Sequence, residues 1–239
     1  IVGGDLHQEP IVNVGLLGAD VKINKGLYQI SKIYTGELWN PHLKAPLAVP
    51  GINVNEGDYI VAIDGKPRDG QTNIFSLLVG KADKQVRLSV SKNGKLKDAR
   101  TVVIEPISSE TGLRHWHWVE SNRKYVDKVS DGKIGYVYLP NTTTAGYTSF
   151  NRMYFGQIDK QGMILDERSN GGGQAANYIT DVLSRQYLSG WKYRSDEMMF
   201  NTPAGGMYGP KVMLIDQDAG SGGDFLPYAF KRLELGTLI

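Results

Sequence analysis

No cysteine occurs among the 239 residues of the chain, and histidine occurs only four times. The absence of cysteine excludes disulfides, thiol catalysis and cysteine-ligated zinc. A serine nucleophile normally needs a base to activate it, and histidine is the usual one. The small number of histidines therefore restricts where a base can come from. They are His7, His42, His115 and His117.

The sequence also has little net charge and no long apolar run. Its formal net charge is +2, and 41% of its residues are hydrophobic. A nearly balanced charge gives no reason to expect nucleic acid or an acidic membrane surface as a partner. No stretch approaches the roughly 20 apolar residues of a membrane helix, and the N-terminus lacks the pattern of a signal peptide. We therefore expect a globular protein with neither a nucleic-acid nor a membrane partner.

The two ends of the sequence predict a segment of a longer polypeptide. The chain opens on the apolar pair Ile1-Val2 and stops within Gly236 to Ile239, which has the pattern of a starting strand. Domains seldom end inside an apolar strand, because the partners of that strand would be missing. We expect residues 1–11 to be the remnant of a preceding subdomain and the last domain to be truncated.

Residues 12–107 carry short β-rich runs separated by turn signals. Asp64-Gly65 and Asn93-Gly94 are strong hairpin-turn dipeptides between such runs. The predicted elements are strands over Gly26 to Tyr34, Tyr59 to Ile63, Val86 to Ser91 and Arg100 to Ile104, and a helical segment over Ile74 to Lys81.

The run from Val54 to Pro67 closely resembles the signature of PDZ domains. Gly57 permits a tight turn there, and the apolar alternation that follows packs a strand. The resemblance implies that Gly26 to Ile30 is the ligand-side strand, whose edge takes an extended peptide and its C-terminal carboxylate. A purely structural spacer is the alternative, because the stretch from Tyr34 to Pro50 is longer than is typical.

From residue 108 onward, strands alternate with helices. An amphipathic helix begins near Ser109 and carries His115 and His117, which point to different faces and cannot chelate one metal together. Each is a candidate base, with packing as the alternative role. The predicted strands that follow are Lys133 to Pro140, Gly162 to Arg168 and 211–215. A first predicted helix runs from about Gly146 to Phe155. A second follows the triple glycine and ends at about Leu183, and a third begins at about Phe225.

This order predicts the fold class. Successive β-turn-α units favour a largely parallel, covered sheet, with functional loops at the carboxyl ends of its strands. The chain is therefore predicted to be α/β plus β-rich, with a PDZ-like domain over 12–107 and a β-α-repeat catalytic core over 108–239.

The stretch from Asp218 to Asp224 is the most informative part of the sequence. It places Ser221 among small residues between a predicted strand and a predicted helix, which is how a fold exposes a hydroxyl nucleophile. The glycines allow a sharp turn and the approach of a substrate carbonyl, and the helix N-terminus directs N–H groups toward a developing negative charge. A merely flexible turn is the alternative.

A second glycine turn, Gly171 to Gly173, follows the neighbouring predicted strand. We predict that the two turns converge, so that one carries the nucleophile and the other a backbone N–H for an oxyanion hole. A phosphate-cradling loop is the alternative, but the Gly-Lys-Ser/Thr of a P-loop is absent. The sequence predicts no cofactor and no metal.

Four strings in this order resemble the tricorn proteases, which are C-terminal-processing-peptidase-like serine peptidases. They are the PDZ-like run, the run from Gly132 to Pro140, the run from Leu165 to Gly173, and the Ala-Gly-Ser-Gly-Gly-Asp turn. The resemblance implies that Ser221 is the nucleophile and that the N–H groups of Gly222 and Gly173 are the oxyanion donors. It also implies cleavage of short peptides, a hexamer and a cytoplasmic location; an export signal in a preceding region would make the periplasm the alternative.

The resemblance implies that part of the catalytic machinery lies elsewhere. In the family a Ser-His pair precedes a Gly-Gly-Asp, here Gly3-Gly4-Asp5, and a glutamate follows the strand that begins at Leu238. We therefore expect the 239-residue chain alone to be inactive. In the archetype of the family an acidic residue helps to select the terminal region of the substrate. The corresponding run here, Ser189 to Lys192, has no acidic residue, so we expect no preference for basic substrate residues from it. A non-catalytic peptide-binding or scaffold protein that retains the peptidase fold is the second hypothesis.

Overall fold

A computed structural model describes residues 12–37, 39–67, 70–195 and 199–239. The predicted remnant at 1–11, with Gly3-Gly4-Asp5 and His7, lies outside these residues. The backbone divides into two compact units, the first extending through Trp118 and the second beginning at Val119. The proposed boundary between residues 107 and 108 stays a prediction.

Within the described residues, the first unit contains a six-stranded antiparallel sheet. Its strands are β1 (Ala19–Asn24), β2 (Leu27–Ile33), β3 (Tyr59–Ile63), β4 (Lys66–Pro67), β5 (Val86–Ser91) and β6 (Arg100–Ile104). The strand order is β1-β2-β3-β5-β6, and β4 pairs with β3. Single 3-10 turns lie at Pro41–Leu43, Ile74–Leu77 and Leu96–Asp98.

Alternating side chains explain this sheet. In β5, Val86, Leu88 and Val90 are buried, whereas Arg87 between them is exposed, so one face of the strand meets the core. The same apolar cluster includes Ile30 of β2 and residues of β3 and β6. The predicted Asp64-Gly65 turn joins β3 to β4 with positive φ at both residues, as a two-residue hairpin requires.

Three expectations for the first unit are corrected. The predicted helix from Ile74 to Lys81 is only a 3-10 turn, because Val79 leaves it to pair with Val14. Asn93-Gly94 lies in a longer loop between β5 and β6, not in a tight hairpin. The predicted ligand strand is β2, which is not a sheet edge, because β1 covers one side of it and β3 the other. Strand β1 had not been predicted.

Helix α1 (Thr111–Val129) is the predicted amphipathic helix, and it contains the boundary between the units. Its two histidines contact different neighbours. The His117 ring packs edge-on against Tyr34, with 5.4 Å between ring centroids, and the His115 ring packs against Trp118 at 5.7 Å. Burial lowers the pKa of His115. Both contacts are consistent with packing.

The second unit contains a parallel sheet, as predicted. Its strands are β7 (Ile134–Tyr138), β8 (Gly162–Asp166), β11 (Lys211–Leu214) and β12 (Thr237–Leu238), in the order β12-β11-β8-β7. Between β8 and β11 in the sequence lies an unpredicted antiparallel hairpin, a separate sheet formed by β9 (Ser189–Lys192) and β10 (Met199–Thr202). The helices are α2 (Thr144–Phe155), α3 (Ala176–Leu183) and α4 (Gly222–Arg232).

Side chains from the central strands and the helices form the core of this unit. Leu165 of β8 and Met213 of β11 are fully buried, as are Phe150 of α2, Ile179 of α3 and Phe230 of α4. The apolar runs of β8 and β11 thus behave as strands covered on both faces. None of the helices within the described ranges has the length and apolarity needed to cross a membrane.

Candidate active site

Ser221 lies at a sharp junction between strand β11 and helix α4. Its backbone has φ 56° and ψ −116°, which non-glycine residues rarely adopt. The Ser221 carbonyl accepts hydrogen bonds from the Asp224 and Phe225 N–H groups, at 3.0 Å each. The residue is therefore held in a strained turn with its side chain exposed, the geometry that presents a serine hydroxyl at the end of a strand.

Helix α4 begins at Gly222, earlier than the predicted start at Phe225. Consecutive glycines are poor helix formers, which is why the sequence pattern places the start later. Here close packing requires them, because a Cβ at Gly223 would overlap the carbonyl oxygen of Asn170, and a Cβ at Gly222 would overlap that of Gly173.

The triple-glycine turn contacts the Ser221 turn, as predicted. A Cβ at Gly172 would lie 2.6 Å from the Gly220 carbonyl oxygen and 2.8 Å from the Ser221 Cβ. Gly172 also has φ 85°, which any other residue would adopt only with strain. Backbone therefore packs directly on backbone where the two strand ends meet.

The two predicted oxyanion donors lie at this junction. The Cβ position of Gly222 is 2.8 Å from the Gly173 nitrogen. Gly222 is the first residue of α4, so its N–H has no acceptor within the helix. In the described part of the chain, neither the Gly222 N–H nor the Gly173 N–H donates a hydrogen bond. The Gly173 carbonyl is fixed separately, since it accepts from Thr142 Oγ1 at 3.0 Å.

Asn170 ties the two turns together and was not predicted as a functional residue. It is fully buried. Its backbone carbonyl accepts from the Gly220 N–H at 3.0 Å, and its Oδ1 accepts from the Gly172 N–H at 2.9 Å. Its Nδ2 donates to Glu167 Oε2 at 3.3 Å. One side chain and its own backbone thus bond to both glycine turns.

A second link joins the same loops through Asp216. The Ser169 N–H donates to Asp216 Oδ1 at 2.8 Å, and the Ser169 hydroxyl donates to Oδ2 at 3.0 Å. The bond from the Ser169 backbone is the main reason that the pKa of Asp216 is lowered. Asp216 therefore serves as an anionic acceptor for the loop that precedes the triple glycine.

A buried carboxylate ends strand β8. Asp166 is fully buried and receives two hydrogen bonds from the Arg168 guanidinium, at 2.8 and 2.6 Å, and one from the Tyr136 hydroxyl at 2.6 Å. Burial first, and then the bond to Asp166, raise the pKa of Tyr136, while the bond to Asp166 raises that of Arg168. Strand β8 ends at Asp166 and not at the predicted Arg168, whose backbone N–H donates to Asp166 Oδ1 at 3.3 Å.

A cavity of about 420 Å³ opens beside Gly173. All its lining residues are uncharged: Thr142, Thr143, Thr144, Tyr147, Gly173, Gln174 and Ala175. They come from the start of α2 and from the segment that follows the triple glycine. The cavity can therefore take an uncharged group next to one of the predicted oxyanion donors.

The second unit contains no histidine, because the last one in the sequence is His117. The described histidines, His42, His115 and His117, belong to the first unit. Across the ranges that the structure describes, no group of three or more His, Asp or Glu side chains is arranged to hold a metal ion.

Comparisons with known proteins find similar sequences for both units. The sequence model described as the tricorn protease PDZ domain matches residues 15–109, and that of peptidase family S41 matches residues 133–239. A tricorn protease of Thermoplasma volcanium is 31% identical over 238 residues, which is 100% of this chain and 23% of that protein. The chain belongs to the tricorn protease family. The match to peptidase family S41 covers most of the second unit.

The tricorn likeness extends over both units. A putative tricorn-like protease C-terminal subunit of Sulfurisphaera tokodaii is 36% identical over 228 residues, 95% of this chain and 26% of that protein. A crystal structure of the tricorn protease matches with a TM-score of 0.84 and 31% identity, covering 95% of this chain and 22% of that chain. The chain thus spans about a quarter of the length of these tricorn relatives.

Proposed function

We propose that the second unit supplies the nucleophile and the oxyanion hole of a tricorn-type serine peptidase that cleaves short peptides. One observation carries this proposal: the strained Ser221 turn packs on the triple-glycine turn. At that junction the N–H groups of Gly222 and Gly173 have no acceptor among the described residues. Unengaged, preorganised donors beside an exposed hydroxyl suit a tetrahedral intermediate.

The proposed reaction proceeds through an acyl-enzyme. Ser221 Oγ loses its proton to a base and bonds to the scissile carbonyl carbon, whose oxygen becomes negative and accepts from Gly222 and Gly173. The C–N bond then breaks, and the departing amine takes the proton from the base. Water next hydrolyses the ester and restores the serine. Asn170 maintains the spacing of the donors, and the cavity beside Gly173 accommodates a substrate residue near the scissile bond.

We further propose that the base and its orienting glutamate come from polypeptide outside residues 1–239. The second unit has no histidine, and a serine hydroxyl without a base is a poor nucleophile at neutral pH. The family resemblance implies a Ser-His pair before Ile1 and a glutamate after Ile239. On this proposal, the 239-residue chain alone folds but does not turn over peptides.

Fluorophosphonate labelling, with the adduct located by peptide mass spectrometry, tests both parts. We expect no adduct at Ser221 in the folded 239-residue chain. We expect an adduct in a polypeptide extended to include the Ser-His pair and the glutamate, and none in its Ser221→Ala variant. Labelling of the short chain would make His115 and His117 candidate bases. A folded extended polypeptide without labelling would favour the non-catalytic scaffold.

For the first unit we propose capture of a peptide C-terminus, as its PDZ resemblance implies. Strand β2 has no free edge, so any added strand must use another part of the sheet. Calorimetry with one peptide carrying a free or an amidated C-terminus tests this. Tighter binding of the free acid supports capture, and equal or absent binding favours a spacer. The hexamer and the cytoplasmic location stay predictions.

A further inference from the structure

Glu167 is a buried acid that is hydrogen-bonded to Asn170, the residue that joins the two turns. It has no role in the proposed reaction. It is fully buried, and its Oε1 atom has no hydrogen-bond partner among the described residues. Its other oxygen accepts one bond, from Asn170 Nδ2 at 3.3 Å. An ionised carboxylate normally requires several donors or a cation when it is buried. This environment therefore suits the neutral acid.

The charged groups around Glu167 point the same way. The carboxylates that act on it are Asp224 of α4, Asp216 after β11 and Asp166 at the end of β8. Like charges oppose ionisation. Burial first, and then these carboxylates, raise the pKa of Glu167 to about 8, although the Asn170 bond works in the other direction.

Glu167 reaches both turns through Asn170. The Asn170 backbone N–H donates to the Glu167 carbonyl at 3.0 Å, in addition to the side-chain bond. Asn170 in turn accepts from the N–H groups of Gly172 and Gly220. A movement of the Glu167 carboxyl must therefore act on the residue that spaces the nucleophile from its oxyanion donor.

We propose that Glu167 is a positioning residue. Its neutral carboxyl holds Asn170 in place, and Asn170 in turn holds the Gly172 and Gly220 turns at a fixed spacing. When Glu167 ionises, its bond from Asn170 Nδ2 strengthens, but its Oε1 becomes a buried charge without a donor among the described residues. The carboxylate therefore shifts toward water or another donor, and Asn170 shifts with it. The two turns then relax together. The catalytic consequence of this relaxation rests on the proposed function, but the relaxation itself does not.

Nuclear magnetic resonance of the 239-residue chain tests the proposal without turnover. We would record the Glu side-chain carboxyl carbons and the Gly172 and Gly220 amides between pH 6 and pH 9.5. Both amides donate to Asn170, so their shifts report on its position. We expect the Glu167 carboxyl and the two amides to titrate with one midpoint, near the pKa of about 8. No histidine lies in this unit to titrate in the same range.

Two variants complete the test. In Glu167→Gln, which keeps the shape but cannot ionise, the two amides should no longer shift with pH. In Glu234→Gln, which removes an exposed carboxyl at the end of α4, they should shift as in the wild type. The proposal is overturned if Glu167 titrates in the ordinary carboxyl range, or if it titrates high while both amides stay constant. Both outcomes are read from the wild type alone, even if a variant fails to fold, and neither depends on peptidase activity.

Discussion

The two units of the chain use buried polar groups differently. In the first unit, buried acids are isolated and individually paired: Glu110 accepts from the Gly18 N–H and from Arg114, and Asp58 pairs with Arg100. In the second unit the buried acids, Asp166 and Glu167, are adjacent at the carboxyl end of strand β8. Asp166, Glu167 and Asn170 lie within one short segment, and all three are fully buried.

The first unit is stabilised mainly by an apolar cluster, whereas the second unit also buries polar residues next to its candidate site. An apolar cluster such as that of the first unit is the least demanding way to stabilise a sheet. Burying three neighbouring polar residues is costly unless each finds a partner, and one Glu167 oxygen has none within the described ranges. A local exception of this kind is expected where a fold holds functional groups. Four substitutions, two of them with a matched control substitution, test this contrast.

The largest effect should follow from Ser221→Ala in a polypeptide that includes the base. Peptide hydrolysis should fall by at least about a thousandfold, because the reaction loses its nucleophile. The thermal unfolding midpoint should hardly change, because the side chain is exposed. Retained hydrolysis would show that another residue attacks the substrate.

The next effect tests the first unit. Leu88→Ala removes a fully buried side chain of β5 and should lower the free energy of unfolding by about 3 kcal/mol. The exposed Leu96 is the control, and Leu96→Ala should change that free energy by less than about 0.5 kcal/mol. Chemical denaturation measures both. Equal losses would contradict the assigned core.

A matched glycine pair tests the junction in the second unit. Gly172→Ala should cost about 2 to 3 kcal/mol, because its Cβ meets the Gly220 carbonyl and the Ser221 Cβ at a positive φ. At Gly171 a Cβ lies more than 4 Å from every atom that the structure describes apart from its chain neighbours, so Gly171→Ala should be nearly neutral. Denaturant titration distinguishes them, and similar values for the two variants would argue against the backbone contact.

For a change of one pH unit, the effect of Glu167 on stability should be smaller than that of Leu88→Ala or Gly172→Ala. Its pKa is about 8 in the folded protein and near the ordinary carboxyl value in the unfolded chain. Between those values the unfolded chain has lost the proton and the folded protein has kept it. Stability should therefore fall by up to about 1.4 kcal/mol per pH unit as the pH rises, and level off above that range. Glu167→Gln should remove this slope in denaturation curves; an unchanged slope would assign it to another group.

Local patterns were sufficient for much of the second unit and for the meeting of its two turns. Apolar runs such as Gly162 to Asp166 identify covered strands, and parallel topology brings their carboxyl ends together. Strands β9 and β10, which have no buried residue, were missed. Every residue of β9 is exposed, so no alternation marks it. Strand β1 was also missed, although Ala19, Val21 and Ile23 alternate with polar residues and Ala19 is buried, and this is why β2 was mistaken for an edge.

The support for the junction could not be predicted, because it depends on distant partners. Nothing near Asn170 in the sequence indicates that its carbonyl accepts from Gly220, a residue of a different strand–helix unit. The same holds for Ser169 and Asp216. One feature of the sequence could have indicated this support: Glu167 is a charged residue that directly follows an apolar strand.

The glycine-on-glycine junction has a consequence for inhibitor selectivity. Its proposed oxyanion donors are main-chain atoms, packed so closely that Gly172 and Gly222 leave no space for a side chain. A small electrophile that contacts only these atoms would encounter the same surface in any peptidase with equivalent turns. Discrimination between such enzymes must therefore come from the adjoining cavity, where Thr143 and Tyr147 offer side chains that can differ from one protein to another.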